Sequence, residues 1–200
     1  MSKNLLLIFT RNPELGKVKT RLAKTIGDEA ALAIYKFLLN HTKTVTTSGA
    51  FDKAVYYSVK VRENDIWDTN TYLKFPQQGS NLGERMKNAF QDAFDNNYDK
   101  VVIIGSDLYD LKAHHIKEAF EKLSTNDVVI GPAEDGGYYL LGLKKVHTNI
   151  FENKAWGTET VREDTLNDLQ NVSLHLLEPL NDIDVFEDIQ NTPIFNQFYK

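Results

Sequence analysis

Two aspartates stand where buried runs of the chain give out. Val101-Val102-Ile103-Ile104-Gly105-Ser106-Asp107 is a continuous apolar run closed by a small residue, a hydroxyl and a carboxylate. Val128-Val129-Ile130 is a second, mostly β-branched run, and it leads into Gly131-Pro132-Ala133-Glu134-Asp135-Gly136-Gly137-Tyr138. Runs apolar on both faces mark strands buried between helix layers, and in open α/β sheets ligands bind beyond the carboxyl ends of such strands. Carboxylates placed there can take a proton from a bound molecule or hold a hard cation against it. Gly136 and Gly137 permit positive φ and a close approach of ligand to backbone. Taken singly, an Asp-Gly pair makes a hairpin turn and an Asp after a strand caps the next helix. Two buried strands that each deliver a carboxylate favour a ligand site over two independent caps.

The cations are equally concentrated. Arg11, Lys17, Lys19, Arg21 and Lys24 fall within one loop and the start of a helix, where free backbone N–H groups and the helix dipole also attract anions. Neither a Walker A sequence nor Gly-x-Gly-x-x-Gly is present, so a phosphate site here is an expectation from the cluster of cations and not from either fingerprint. Arg85, in the first turn of a later helix, reads equally as a crevice cation or a solvated surface residue. In Asn181-Asp182-Ile183-Asp184 the acids at i and i+2 lie on one side if the segment is extended, with Asp184 also suited to capping the next helix.

The elements that must position these groups alternate as in a nucleotide-binding α/β unit. Strands are expected at Asn4 to Phe9, Lys53 to Val59, Tyr72 to Phe75, Val101 to Ile104, Asp127 to Ile130, Tyr138 to Leu143 and Val172 to Leu177. Helices are expected at Asp28 to Ser48, after Asn81 with Glu84 as a capping box, at His114 to Leu123, at Thr160 to Leu169 capped by Thr158 or Glu159, and at Phe186 to Ile189. The segment around Trp67 suits a short helix. Adjacent histidines on a helix diverge, so His114 and His115 read as surface residues. Trp156 beside Gly157 is a packed turn aromatic or the wall of a pocket. The aromatic tail, Ile194 to Tyr199, reads as packed on the body or on another subunit.

Composition bounds the rest. Two hundred residues, 42% hydrophobic and 26% charged, suit one α/β domain spanning 1–200, and a net charge of −5 argues against a nucleic-acid-binding surface. With no cysteine there is neither a disulfide framework nor a thiolate metal site. Met1-Ser2-Lys3-Asn4 leads into only about six apolar residues, short of a signal-peptide core and of a membrane span, so a cytoplasmic, membrane-free chain is expected.

Gly16-Lys17-Val18-Lys19-Thr20-Arg21-Leu22, Gln78-Gly79 through Leu82-Gly83-Glu84-Arg85-Met86, Gly105-Ser106-Asp107, Gly131 to Gly142 and Trp156-Gly157-Thr158, in this order, carry a resemblance over nearly the whole chain. It resembles a bacterial family of GT-A-type glycosyltransferase-like proteins named for arsenosugar biosynthesis, related to nucleotidyltransferases of the molybdenum-cofactor and phospholactate guanylyl type. The most specific piece is Gly-Pro-Ala-Glu-Asp-Gly-Gly-Tyr. Two positions depart from the family pattern: Tyr109 stands in place of a proline, and Val185 in place of a threonine.

The resemblance implies a three-layer αβα, Rossmann-like GT-A fold with a mostly parallel sheet. It implies a nucleotide-diphosphate ligand held by Arg11, Lys17, Lys19, Arg21, Gln78, Arg85, Gly136 and Gly137. Asp107, with Asp135 or Asp184, would hold Mg²⁺ or Mn²⁺, and Asp135 would deprotonate an acceptor hydroxyl. The leading expectation is glycosyl transfer from a nucleotide sugar to a small acceptor. Nucleotidyl transfer from a nucleoside triphosphate to a small phosphorylated substrate is the first alternative. A nucleotide-binding protein with weakened catalysis is the second, suggested by Tyr109 and Val185. A homodimer is compatible with each.

Overall fold

Every central strand is apolar on both sides, so the sheet has to be covered twice. The computed structural model describes residues 3–199, which leaves Met1 and Ser2 of the short polar lead outside the described residues. Its strands are β1 (Asn4–Thr10), β2 (Asp52–Tyr57), β3 (Leu73–Pro76), β4 (Lys100–Gly105), β5 (Val128–Pro132), β6 (Tyr138–Leu143) and β7 (Leu174–Leu176). They form one seven-stranded sheet in the order β3-β2-β1-β4-β6-β5-β7. Neighbours run parallel except β6, which is antiparallel to both β4 and β5.

Alternation along the strands divides the core. Leu6, Ile8, Val55, Val102, Ile104 and Val129 face a layer built by α2 (Asp28–Thr47) and α4 (Ala113–Lys122). Leu5, Leu7, Ala54, Val101, Ile103, Val128 and Ile130 face α3 (Leu82–Asp95), with the Thr148–Phe151 turn and α5 (Val161–Asp168) beyond it. The result is a three-layer α/β architecture in which β4 and β5 flank β6 near the centre. A third cluster joins α1 (Thr20–Ile26) and α2 to the end of the chain: Leu22, Ile34, Leu38, Ile183, Ile189 and Phe195 are buried together, with Phe37, Tyr109 and Phe198 against them. The aromatic tail, ending in α6 (Asn196–Tyr199), is therefore packed on the body.

From β1 the chain first builds β2 and β3 on one side, then crosses to place β4 on the other. The carboxyl ends of β1 and β4 thus meet at a topological switch point, where α/β sheets open a crevice.

Several local expectations are corrected. β2 stops at Tyr57 rather than Val59, because after Ser58 the chain is captured by Asn12: its Oδ1 accepts from the N–H groups of Val59 and Lys60. The segment around Trp67 forms no helix. Trp67 is buried, and Asp65 accepts from its N–H, from Tyr57 Oη and from Lys74 Nζ, so the side chains outcompete a local helical ladder. β7 covers only Leu174–Leu176, as the short edge strand beside β5.

At α5 neither Thr158 nor Glu159 is the cap. Thr160 holds that position without a side-chain capping bond, while Thr158 Oγ1 donates to Ala155 O. At α3 the capping box is half formed: Asn81 Oδ1 accepts from Glu84 N–H, but Glu84 turns back to Ser80.

Candidate functional site

Three adjoining recesses open over the carboxyl ends of β1, β4 and β5. The widest, about 610 Å³, is polar and includes Thr10, Arg11, Lys17, Ser58, Gln77, Arg85 and Asp107 in its wall. It shares Arg11, Tyr35 and Asp107 with a recess of about 230 Å³ that adds Lys19, Arg21 and Asp184. It shares Phe9 and Leu82 with a third, mostly apolar recess of about 220 Å³ whose wall includes Tyr138, Trp156, Asp135 and Asp182. The first lies within the range of small-ligand and cofactor sites.

The ends of β1 and β4 are tied together from below by a residue the sequence reading did not single out. Tyr35 of α2 is buried, and its hydroxyl accepts from Arg11 N–H at 2.9 Å and lies 3.2 Å from Thr10 Oγ1 and 3.4 Å from Ser106 Oγ. Ser106 Oγ in turn donates to Thr10 Oγ1 at 3.1 Å. A tyrosine four residues after a buried alanine of the α2 stripe, with a hydroxyl that needs a partner, was the available signal.

Lys19 holds the acidic side of the crevice. It is a non-glycine residue at φ 47°, ψ 43°, a left-handed conformation that costs energy and clusters at functional positions. Its side chain is 4% exposed, and Nζ donates to Asp107 Oδ2 at 2.7 Å and Asp184 Oδ1 at 3.1 Å. Burial alone would lower the ammonium pKa, but the two carboxylates outweigh it and raise it above the lysine range. Arg21 pairs with the other oxygen of Asp184. Burial pushes the Asp184 carboxyl up, yet Lys19, Arg21 and Arg11 hold it below its ordinary value.

Asp184 is therefore not a helix cap. Asp188 takes that work, accepting from the N–H groups of Asp184 and Val185 at 2.7 and 2.8 Å. Neither Asp107 nor Asp110 caps α4, whose N-cap is Lys112.

Asp182 is the residue missed. With Ile183 buried in the third cluster, Asp182 and Asp184 both face the crevice, but Asp182 lines the apolar recess beside Asp135. Among the described residues it has no hydrogen-bond donor. Burial, then the charges of Asp107 and Asp135, push its carboxyl up to about 7 against the pull of Lys19. Alternation gave both acids one side. Which of them Lys19 would neutralise depends on tertiary placement.

The sign of this shift gives a test. A carboxyl whose folded pKa lies above its unfolded value near 3.9 contributes stability that is full below about pH 4 and lost as pH rises through about 7. In EDTA, Asp182→Asn is expected to be more stable than the parent at pH 8, by a few kcal/mol at most, and to lose that advantage at pH 4. Urea denaturation at both values measures it; a pH-independent difference would refute the assignment.

The remaining residues divide. Arg11, Lys17 and Arg85 line the polar recess, and Lys19 and Arg21 the one beside it. Gln78 lies outside all three; its carbonyl accepts from Asn88, and its neighbour Gln77 faces the polar recess instead. Gly137 lines the apolar recess, and Asp135 Oδ1 accepts from its N–H at 2.9 Å. Gly136, at φ 89°, serves packing: a Cβ there would lie 2.2 Å from Glu159 O. Trp156 is a pocket wall, admitted by Gly83, where a Cβ would lie 2.6 Å from the indole nitrogen.

His115 is not a surface residue. It is buried, its Nδ1 accepting from Lys112 N–H at 3.0 Å and its Nε2 lying 2.5 Å from Glu178 Oε1. Among the described residues, His114, His115 and Glu178 form the one group of three such ligand atoms within 4.8 Å of one another. The bond to Nδ1 places the ring proton on Nε2, which faces Glu178, so no lone pair of His115 is left for a metal.

The carboxylates of the crevice suit a cation better. Asp182 is without a donor, and Asp107 is 42% exposed at the side chain. A small hard cation takes one or two such carboxylates together with phosphate oxygens rather than a closed protein cage. The set does not require three acids to converge.

Comparison with known proteins agrees with this architecture. The family model described as "Uncharacterized protein conserved in bacteria (DUF2064)" matches residues 41–158, more than half of the chain. A 2-phospho-L-lactate guanylyltransferase of Methanocaldococcus vulcanius is 27% identical over 157 residues, 76% of this chain; the chain spans 66% of that relative's length. The crystal structure of a "putative nucleotide-diphospho-sugar transferase" from Desulfovibrio desulfuricans G20 is 29% identical and superposes with a TM-score of 0.86 over 99% of each chain. A cytidylyltransferase from Leptospira borgpetersenii, 15% identical with a TM-score of 0.56 over 94% of this chain and 84% of its own, shares the fold. Among the described residues no helix is long and apolar enough to cross a membrane.

Proposed function

The chain belongs to that bacterial DUF2064 family, and from this premise we propose that it is a transferase that moves a glycosyl group from a nucleotide sugar to a small acceptor. The observation that carries the reading is the segregation of charge in the crevice. Arg11, Lys17 and Arg85 line the polar recess, with Lys19 and Arg21 beside it, whereas among the described residues the apolar recess has no Lys, Arg or His in its wall. A diphosphate is matched by the first two. The third offers an indole face and two carboxylates, which suit the C–H surface and hydroxyls of a sugar and leave a phosphorylated acceptor without a counter-ion.

The chemistry follows from this placement. The acceptor oxygen attacks the anomeric carbon, the bond from that carbon to the diphosphate breaks, and the bonding pair leaves with the nucleoside diphosphate. Arg11, Lys17, Lys19 and Arg21 line the recesses that would receive the oxygens on which that charge grows. The proton of the acceptor hydroxyl passes to Asp135, whose Oδ1 is tied to Gly137 N–H and whose Oδ2 is free for it. Asp107 and Asp182 would hold Mg²⁺ or Mn²⁺, with Asp184 keeping Lys19 in place. When bound, that cation supplies positive charge beside the leaving diphosphate.

A second reading is nucleotidyl transfer, favoured by the guanylyltransferase relative and by a basic segment after β1 that suits pyrophosphate as the leaving group. Incubating the protein with Mn²⁺ and a panel of nucleotide sugars and nucleoside triphosphates separates the two. Release of nucleoside diphosphate from a nucleotide sugar, speeded by a neutral acceptor, is the expected result. Pyrophosphate release from a triphosphate, dependent on a phosphorylated acid, would replace the first reading by the second.

A further inference from the structure

Lys19 combines three features that a phosphate-binding lysine by itself does not need. Its ammonium lies between two aspartates, at 2.7 Å from Asp107 Oδ2 and 3.1 Å from Asp184 Oδ1. Its side chain is almost wholly buried, and its backbone is held left-handed immediately before α1. It also lines a recess with Arg11 and Arg21, two cations that can share an incoming anion with it.

We propose that Lys19 is an internal stand-in for the divalent cation: in the ligand-free protein its ammonium occupies the coordinating face of Asp107, and it yields that face when a diphosphate offers it a new partner. The inference rests on the proposed metal-assisted reading of the site.

The physical basis is repulsion. The ammonium at 2.7 Å takes one lone pair of Asp107 Oδ2, and a divalent ion at about 2.1 Å from the same carboxylate would have to sit beside that positive charge. Lys19 is itself buried, so solvent screens its side of the pair poorly. Phosphate oxygens arriving in the recess between Arg11 and Arg21 attract the same ammonium, and a short swing of a four-carbon side chain exchanges one partner for the other. Metal alone then binds weakly and diphosphate strengthens it, and by linkage the metal strengthens diphosphate binding by the same factor. Asp184, held by Arg21 as well, stays neutralised throughout.

Mn²⁺ binding to the full chain, read from the loss of the free-ion electron paramagnetic resonance signal, tests this without any turnover. Lys19→Met keeps the length of the side chain and removes the charge; it is expected to bind Mn²⁺ alone about tenfold more tightly than the parent, the equivalent of roughly 1.4 kcal/mol. Equal or weaker binding overturns the proposal while leaving the metal-assisted reading in place. Binding by neither protein, with inorganic pyrophosphate as well as without it, overturns both. Because the variant leaves two acids without their lysine and can misfold, a second measurement uses the parent protein. The ¹⁵N resonance of the Lys19 ammonium, slowed in exchange by burial, is expected to hold its position with Mg²⁺ at low occupancy and to move when inorganic pyrophosphate is added with it. A resonance indifferent to both together overturns the proposal.

Discussion

Asp107→Asn is expected to lower turnover by at least about a thousandfold while leaving the fold intact, because the substitution removes the one carboxylate that both the cation and Lys19 depend on. Asp107 is held by its place just after β4 and by Lys19, from which its Oδ2 accepts. Asn preserves that shape and one acceptor oxygen but not the charge. Lys19 keeps Asp184 as a partner, so the buried ammonium is not stranded and the cost to stability is small. Steady-state rates with and without EDTA, beside a melting curve, measure both parts. Full activity in EDTA, or in the Asn variant, would remove the metal and the assigned role of Asp107 together.

The second large effect lies outside the crevice, in the packed tail. Phe195 is fully buried, with its ring edge-on to Phe37 at 5.8 Å and to Tyr109 at 5.1 Å between centroids. Phe195→Ala is expected to cost about 3–5 kcal/mol of folding stability, the range for a buried phenylalanine whose site cannot collapse. Ile183 shares this cluster and separates Asp182 from Asp184, and Tyr109 stands two residues from Asp107. A cavity here therefore loosens both acidic loops, and transfer is expected to fall along with stability. Urea denaturation gives the first quantity; a loss below about 1 kcal/mol would mean that the tail only rests on the surface. Tyr109 accordingly has a packing role of its own.

The strands were legible because burial on both faces forbids polar alternatives. Val101 to Ile104 and Tyr138 to Leu143 could be read to within a residue or two, and with them the strand end that carries Asp107 and the loop that carries Asp135. Edges were less legible: Val172 and Leu177 match β7 in character, but pairing with a single neighbour supports only three residues. The basic segment after β1 was visible as a concentration of charge, and its meeting with Asp107 followed from the topology. Partner choice was not visible. That Lys19 would take Asp184 and leave Asp182 bare, that Tyr35 would bolt the β1 and β4 ends together, and that His115 would be sealed against Glu178 are all contacts between residues distant in sequence. Gln78 was displaced by its neighbour Gln77 for the related reason that a loop has no period from which to read which side faces inward.

The reversed direction of β6 has a consequence for how this molecule can vary. A parallel neighbour of β5 would have to be reached by a crossover that carries the chain back to the other edge of the sheet, and such a crossover tolerates a change of several residues. β6 instead begins where β5 ends, and Asp135 sits on the five-residue bend between Pro132 and Tyr138, with Ala133 N–H donating to Gly137 O and Arg162 N–H to Gly136 O. Because β6 lies between β4 and β5, any residue added to that bend must be absorbed without sliding β6 along both neighbours, since a slide of one position would turn Leu141 and Leu143 to the opposite face. The segment from Gly131 to Gly142 is thus under a length constraint as well as a chemical one: Glu134 is exposed and open to substitution, whereas a residue added or removed has to be taken up within the bend or at the register irregularity beside Gly131 and Pro132.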